Sequence, residues 1–398
     1  MSLRWDTSEP ERAVGVAKFL PLLRQAVAVA PHRPELKLEL ARALFESDQT
    51  VELIDLVKPS LADRDAAPEL LYWLGRAALA GGDDALALIA LRAAAAGGMA
   101  AALDFLPKVL VRLGRDDEAL DVGLEALKRA PAQFEVLRSV AAVLYNRGEI
   151  ERLWRLCVEL RARGERAPLL AAVMSSAAAM RDDRDELDKL MDRSKWFFAG
   201  RLAVAEDFNQ HLAAEIFAAK SGRPMQGVAI RGAGWRVDHL ERLAGPHVRD
   251  LMARIRAAVD DYAAERQNLS PDPLMGKNPA AVTLNSWSLA AHDDGHTAWH
   301  IHRSAWISGV YYVQVPDLEP AADDHRGAIE FGPFPLGNDT EALKPHCWRV
   351  MPEPGMLLLF PSHYGHRSVP TGVAAPRISI AIDVQPSKPD GTAAEQQD

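Results

Sequence analysis

A turn-like signature recurs through the first half of the chain at nearly constant spacing, and no other feature narrows the possible folds as much. Leu79-Ala80-Gly81-Gly82-Asp83-Asp84-Ala85-Leu86 is echoed by Leu113-Gly114-Arg115-Asp116-Asp117-Glu118-Ala119-Leu120. Asn146-Arg147-Gly148-Glu149-Ile150-Glu151 is a third copy, with weaker ones at Ser47-Asp48-Gln49 and Arg181-Asp182-Asp183. Anchored on Asp48, Gly82, Gly114, Gly148 and Asp182, the intervals are 34, 32, 34 and 34 residues. Leu71, Leu74, Ala78 and Leu79 share a helix face before one turn, and Ala85, Leu88, Ile89 and Leu91 continue after it. Pro31 and Pro131 close two helices at points where a proline interrupts no interior hydrogen bond. A pair of short helices cannot bury its own apolar face. The period therefore predicts stacked helical hairpins, each covered by its neighbours, with a groove along one side.

The period and the stretch Tyr72-Trp73-Leu74-Gly75-Arg76-Ala77-Ala78 resemble the tetratricopeptide repeat, although several units lack that family's aromatic and glycine positions. The resemblance implies a tetratricopeptide-like helical repeat domain over residues 1–192. Such a groove usually holds a protein or peptide partner; a rigid spacer or a dimerisation surface is the alternative reading.

Charge and composition narrow the partners. The net charge of −9 gives no basic face, so nucleic acid is not an expected partner. The two cysteines, Cys157 and Cys347, lie far apart and form neither a disulfide framework nor a thiolate metal site. Met1 to Arg12 is polar and charged, unlike a signal peptide. No apolar run reaches the ~18 residues that a membrane span requires. The alanine-rich run from Ala90 to Ala102 reads as close helix packing. A cytoplasmic protein without a membrane partner is expected.

From residue 193 to about 280 the period is lost. Lys195-Trp196-Phe197-Phe198 and Phe208 suit the docking of two domains. Glu206–Lys220 and His247–Arg266 read as helices, and Leu269–Pro279 reads as a loop. Beyond Pro279 the pattern changes to strands at 282–289, 307–315, 328–331, 355–360 and 377–384, separated by turn clusters. Together these predict a multidomain α + β protein: a helical solenoid, a connecting helical region (193–280), a β-sandwich or jelly roll (281–386) and a disordered tail (387–398).

Histidines cluster in the strand-rich part. His292, His296, His300 and His302 precede the Tyr311-Tyr312 strand, and His363 and His366 follow the apolar strand 355–360. Two histidines at i and i+2 of a strand point the same way, and a third from a distant strand can complete a facial triad. His300, His302 and His366 meet that description. His292-Asp293-Asp294 is a rival His-x-Asp pair, although its Asp294 sits in a polar Asp-Asp-Gly stretch that reads as a turn.

Four blocks in order carry a second resemblance. They are His296-Thr297-Ala298-Trp299-His300-Ile301-His302, then Ile307-Ser308-Gly309-Val310-Tyr311-Tyr312-Val313, then Pro354-Gly355-Met356-Leu357-Leu358-Leu359-Phe360-Pro361-Ser362 with His366, and Arg377-Ile378-Ser379. The stretch 283–384 resembles 2-oxoglutarate/iron(II) oxygenases related to prolyl hydroxylases, whose members often carry tetratricopeptide repeats ahead of the catalytic domain. The resemblance implies a double-stranded β-helix, or jelly roll. It implies iron(II) held by His300, His302 and His366, with His302 where most of the family has a carboxylate. Arg377 would grip the distal carboxylate of 2-oxoglutarate, with Ser379 beside it and Tyr312 a further candidate. The implied reaction consumes 2-oxoglutarate and O2, releases succinate and hydroxylates a peptide, protein or small molecule. A cupin-like metal protein or an inactive repeat scaffold are the competing readings. Asp383, on the same strand face as Arg377, lies too far along the strand to be its expected partner.

Overall fold

The computed structural model describes residues 3–6, 16–63, 65–131, 133–219, 221–225, 227, 229–266, 278–318, 325–337 and 340–387. Most of the N-terminal polar stretch, nearly all of the loop expected at 269–279 and nearly all of the expected tail lie outside the described residues. The chain forms two compact units, one of residues 9–148 and one combining 1–8 with 149–398. No helix among the described residues is long and apolar enough to cross a membrane.

The first unit is a stack of helices. They are α1 (Leu20–Val29), α2 (Pro34–Glu46), α3 (Thr50–Val57), α4 (Pro68–Gly81), α5 (Asp84–Ala96), α6 (Leu106–Arg112), α7 (Asp116–Arg129) and α8 (Phe134–Asn146). Proline opens α2 and α4, where its missing N–H is not needed. The Asp83 carboxylate caps α5 by accepting from Leu86 N at 3.0 Å. All five anchors of the repeat adopt left-handed backbone, with φ of 57° at Asp48, 83° at Gly82, 70° at Gly114 and Gly148, and 52° at Asp182. The period is thus a repeated helix C-cap, which reverses the chain after each first helix. Leu44, Leu53, Leu74, Leu91 and Leu110 fill the core between helices. Gly75 lets α4 and α5 touch: a Cβ there would stand 2.6 Å from Leu91 Cγ.

The second unit begins with helices of the same kind, α9 (Ile150–Ala162), α10 (Pro168–Met180), α11 (Arg184–Met191) and α12 (Arg193–Trp196). They pack with the strands that follow. Ser176 Oγ on α10 donates to Phe334 O at 2.5 Å, and His363 Nε2 bonds Leu190 O at 2.8 Å. The units therefore divide at 148/149, ahead of the expected boundary at 192. Two further helices, α13 (Phe208–Phe217) and α14 (Pro246–Arg266), lie where the sequence predicts them.

The strands are β1 (Phe198–Arg201), β2 (Arg223–Pro224), β3 (Ile230–Arg231), β4 (Gly234–Asp238), β5 (Val282–Ala291) and β6 (His296–Thr297). Then follow β7 (Ile307–Gln314), β8 (Ile329–Gly332), β9 (Trp348–Val350), β10 (Met356–Pro361), β11 (Gly365–Ser368) and β12 (Arg377–Pro386). A seven-stranded sheet runs β1-β10-β7-β12-β5-β4-β2, a three-stranded one runs β11-β8-β9, and β3 pairs with β6. Within each sheet, every pairing is antiparallel. This C-terminal, β-rich domain with a larger and a smaller sheet is the class of fold expected.

Alternation sorts the large sheet into two faces. Ile378, Ile380, Ile382, Val384, Tyr311, Leu357 and Leu359 pack on Leu212 and Ile216 of α13 and Leu251, Ile255 and Val259 of α14. The register puts Arg377, Ser379, Ala381 and Asp383 on the opposite face, with Trp287, Leu289, Ser308, Val310 and Tyr312. The segment read as docking aromatics supplies an edge strand instead: Phe198 pairs with Leu359, and Phe197 meets Phe331 edge-on, their centroids 5.0 Å apart. The N-terminus also belongs here. Val282 N donates to Arg4 O and Asp6 N to Val282 O, both at 2.8 Å, and Leu3 is buried in the core.

Candidate active site

His300 and His302 lie on the extended segment between β6 and β7, outside any strand. His366 lies on β11 of the small sheet. A two-residue bridge joins them: His300 N donates to His366 O at 3.0 Å and His366 N to His300 O at 3.1 Å. His302 N donates to Ser362 O at 3.1 Å, which ties the same segment to the end of β10. The ring centroids of His300 and His366 are 4.1 Å apart, and one ligand atom from each histidine falls within 4.8 Å of the others. Among the described residues this is the one group of three or more such side chains with that geometry.

Each ring is fixed through Nδ1. His300 Nδ1 is 2.8 Å from Ala298 O, and His366 Nδ1 is 3.0 Å from Tyr364 O. His302 Nδ1 is 2.9 Å from one Asp383 oxygen and 3.0 Å from the other. These acceptors put the proton on Nδ1 and leave Nε2 as the lone-pair nitrogen, the form that binds a metal. Burial, reinforced by the positive charge that His302 can carry, pushes the His300 pKa down to about 4. Burial and the two neighbouring histidines hold His366 well below the ordinary range. His302 Nε2 and His366 Nε2 face each other at 3.2 Å. With both protons on Nδ1, the two Nε2 lone pairs converge and can share one cation, so the donor set fits a divalent ion.

Asp383, which the sequence alone does not tie to the histidines, meets one of them in the fold. Its carboxylate also accepts from Ser308 Oγ at 2.8 Å, which fixes it behind His302. Trp287 stacks on His302, with centroids 5.8 Å apart and an interplanar angle of 27°, and the Arg236 guanidinium stands 5.5 Å over Trp287. Phe331 and Phe360 pack on His366. Alternation with Arg377 and Ser379 was the visible signal for Asp383. Its partner, 81 residues away in sequence, was not visible.

Arg377 is 4% exposed, and both of its hydrogen bonds come from one nitrogen, Nη1 to Gly327 O at 3.0 Å and to Val369 O at 3.2 Å. Burial draws its pKa below the ordinary guanidinium value, opposed by Tyr312. Among the described residues no carboxylate pairs with it. Tyr312 is 2% exposed, its hydroxyl pushed up to about 12 by burial. Ser379 stands opposite Tyr312 in the sheet, next but one to Arg377 on β12. The rival pair is elsewhere engaged: Asp294 is exposed and accepts from Ala233 N at 3.0 Å, while His292 bonds Asp293 at 2.8 Å. Neither joins the histidine group.

Residues 285–383 match the sequence family described as "Putative 2OG-Fe(II) oxygenase". A domain similar to those oxygenases thus follows a helical-repeat region. No curated protein matches the chain. Among solved structures, a prolyl-4-hydroxylase from Pseudomonas putida is similar at 15% identity and a TM-score of 0.35, over 50% of this chain and 96% of that one. The non-heme alpha ketoglutarate dependent epimerase SnoN is similar at 15% and 0.36, over 49% and 80%. YrrB, a TPR protein with an unusual peptide-binding site, is similar at 15% and 0.36, over 43% and 90%.

Proposed function

We propose that the chain is an iron(II)- and 2-oxoglutarate-dependent dioxygenase that hydroxylates a peptide, protein or small molecule. The observation that carries this reading is the pairing of the three-histidine group with a buried guanidinium that has no carboxylate partner among the described residues. His300, His302 and His366 would hold the ion on one face. Iron(II) bound there would supply oxidative decarboxylation of a 2-keto acid coupled to hydroxylation of a C–H bond. Arg377, with Ser379 and Tyr312, would grip the distal carboxylate of 2-oxoglutarate. A guanidinium buried without a counter-charge is costly, and its planar fork matches a carboxylate. Asp383 would hold the proton on His302 Nδ1 and place negative charge behind His302, the residue that stands where most relatives of this kind have a carboxylate ligand. Phe331, Phe360 and Trp287 would keep bulk water from the histidines.

A cupin-like metal protein without a keto acid would leave Arg377 with no use for its charge. An inactive repeat scaffold would not need three imidazoles, each oriented through Nδ1. The helical hairpins would recruit the substrate or a protein partner through their groove. The test is to add 2-oxoglutarate to the anaerobic iron(II) protein and look for a weak visible charge-transfer band, then for succinate on admitting O2. Alanine at His300, His302 or His366 should abolish the band and cut iron affinity by more than 100-fold, while Asp294→Ala should not. Retained band and iron binding in His302→Ala would refute the assignment.

A further inference from the structure

The segment 369–373 is strapped down on three sides. Val369 N donates to Ala328 O at 2.8 Å, and Gly327 N to Pro370 O at 3.1 Å. Gly372 N donates to Asp293 O at 2.9 Å, and Asp293 N to Val373 O at 2.8 Å. The same segment supplies Val369 O to Arg377, and its neighbour supplies Gly327 O. These bonds join it to the end of β5 and the start of β8, around the guanidinium. Gly327 and Gly372, at φ of 76° and 69°, make the two tight reversals.

One group on this segment is left over. Thr371 is 1% exposed, and its hydroxyl oxygen has no hydrogen-bond partner among the described residues. Its methyl takes the Gly327 side, 3.8 Å from where a Cβ on that glycine would stand, so the methyl is the part packed there. A buried hydroxyl without a partner opposes folding, and a sequence free to choose would place valine there. The oxygen sits on the segment whose Val369 carbonyl accepts from Nη1 of Arg377. An anion seated on the remaining face of that guanidinium would be the natural acceptor.

We infer that Thr371 is a further anchor for the cosubstrate, donating its hydroxyl to the carboxylate that Arg377 grips. The inference rests on the reading of Arg377 given above and adds a residue to it.

The experiment uses the full chain, loaded with iron(II) under anaerobic conditions, with Thr371→Val as the isosteric variant and Thr371→Ser as the one that keeps the hydroxyl. The visible band is titrated with 2-oxoglutarate and with 2-oxovalerate, which lacks the distal carboxylate. The melting temperature is measured without either. The valine variant should bind 2-oxoglutarate about tenfold more weakly, a change of about 1.4 kcal/mol. Its affinity for 2-oxovalerate should be unchanged, and its melting temperature without ligand should be equal or higher. The serine variant should bind 2-oxoglutarate within threefold of wild type. If wild type binds 2-oxoglutarate and the valine variant binds it equally, this inference fails while the reading of Arg377 stands. A valine variant that loses both keto acids alike, or melts lower with its affinity intact, assigns the hydroxyl to the fold and overturns it. A wild-type protein that gives no band overturns both.

Discussion

Replacing Asp383 by asparagine removes a charge from behind His302 while keeping the shape of the side chain. Asp383 is 8% exposed and accepts two hydrogen bonds, from His302 Nδ1 at 2.9 Å and Ser308 Oγ at 2.8 Å. Asparagine can still accept from His302 if its amide turns toward Ser308, whose hydroxyl can accept in place of donating. What is lost is charge assistance. Bonds to charged groups contribute about 1.5–3 kcal/mol and neutral ones about 0.5–1.5, so the loss is about 1–1.5 kcal/mol. That converts to roughly 5- to 12-fold weaker iron(II) binding. Asp383→Ala strands both donors, and its effect should approach the roughly 100-fold seen when a ligand's supporting group is removed. The assay is anaerobic competition for iron(II) against a chromophoric chelator, with circular dichroism to show that the fold is kept. Equal iron affinity in wild type and both variants would refute the reasoning. So would a defect confined to 2-oxoglutarate, which would move Asp383 from the metal to the cosubstrate.

Arg377→Lys keeps the charge and loses the planar fork. Half-saturation by 2-oxoglutarate should rise about 12- to 160-fold, for a loss of about 1.5–3 kcal/mol, with iron affinity unchanged; an unchanged titration would detach the arginine from the cosubstrate. Glu330 is buried between Arg367 and Arg349. Burial raises its pKa, but the two guanidiniums outweigh that and hold it below the usual carboxylate range. A depressed folded pKa means stability that is present above the unfolded value near 4.3 and is lost as pH falls through the folded one. Urea melts of Glu330→Gln should therefore lose roughly 1–3 kcal/mol at pH 7, discounted because both arginines are nearly half exposed, and should show a shallower fall below pH 4.5. Asp48→Gly relieves a left-handed, exposed aspartate and should raise the unfolding free energy read from urea melts by about 0.5–1 kcal/mol.

The strands that alternate or carry β-branched runs were legible to within two residues, because burial on a sheet face imposes that alternation on the sequence. The helical period was legible for a sharper reason: each anchor is a backbone position that needs left-handed φ, and only glycine or a short polar residue meets that need cheaply. What escaped notice was short or depended on distant partners. Phe198–Arg201 is an edge strand of four residues with a glycine and an arginine, too brief to show a pattern. His300 and His302 read as strand residues, yet their i, i+2 geometry comes from an extended link pinned by the His366 and Ser362 carbonyls. The role of Asp383 depends on which side chain the fold brings to it. That information resides in the pairing of β12 with β7, which puts Ser308 opposite Asp383, and in the segment leading into β7.

The boundary between the units has a physical reason that the sequence also carried. The last unit of a helical stack ends in water and needs a polar outer face. Helix α10 has none: every residue from Leu169 to Ala179 is buried. A helix apolar on all sides must be covered on all sides. Helices α9 and α11 can cover only part of it. The remainder meets the β-rich part, where Ser176 satisfies Phe334 O and His363 reaches back to Leu190 O. Period and burial therefore answer different questions. The period marks where the hairpins recur, through Asp182, because the turn that makes a hairpin is local. Cover marks where a folding unit begins, and the apolar girth of α10 shows that the final hairpins are enclosed together with the β-rich part.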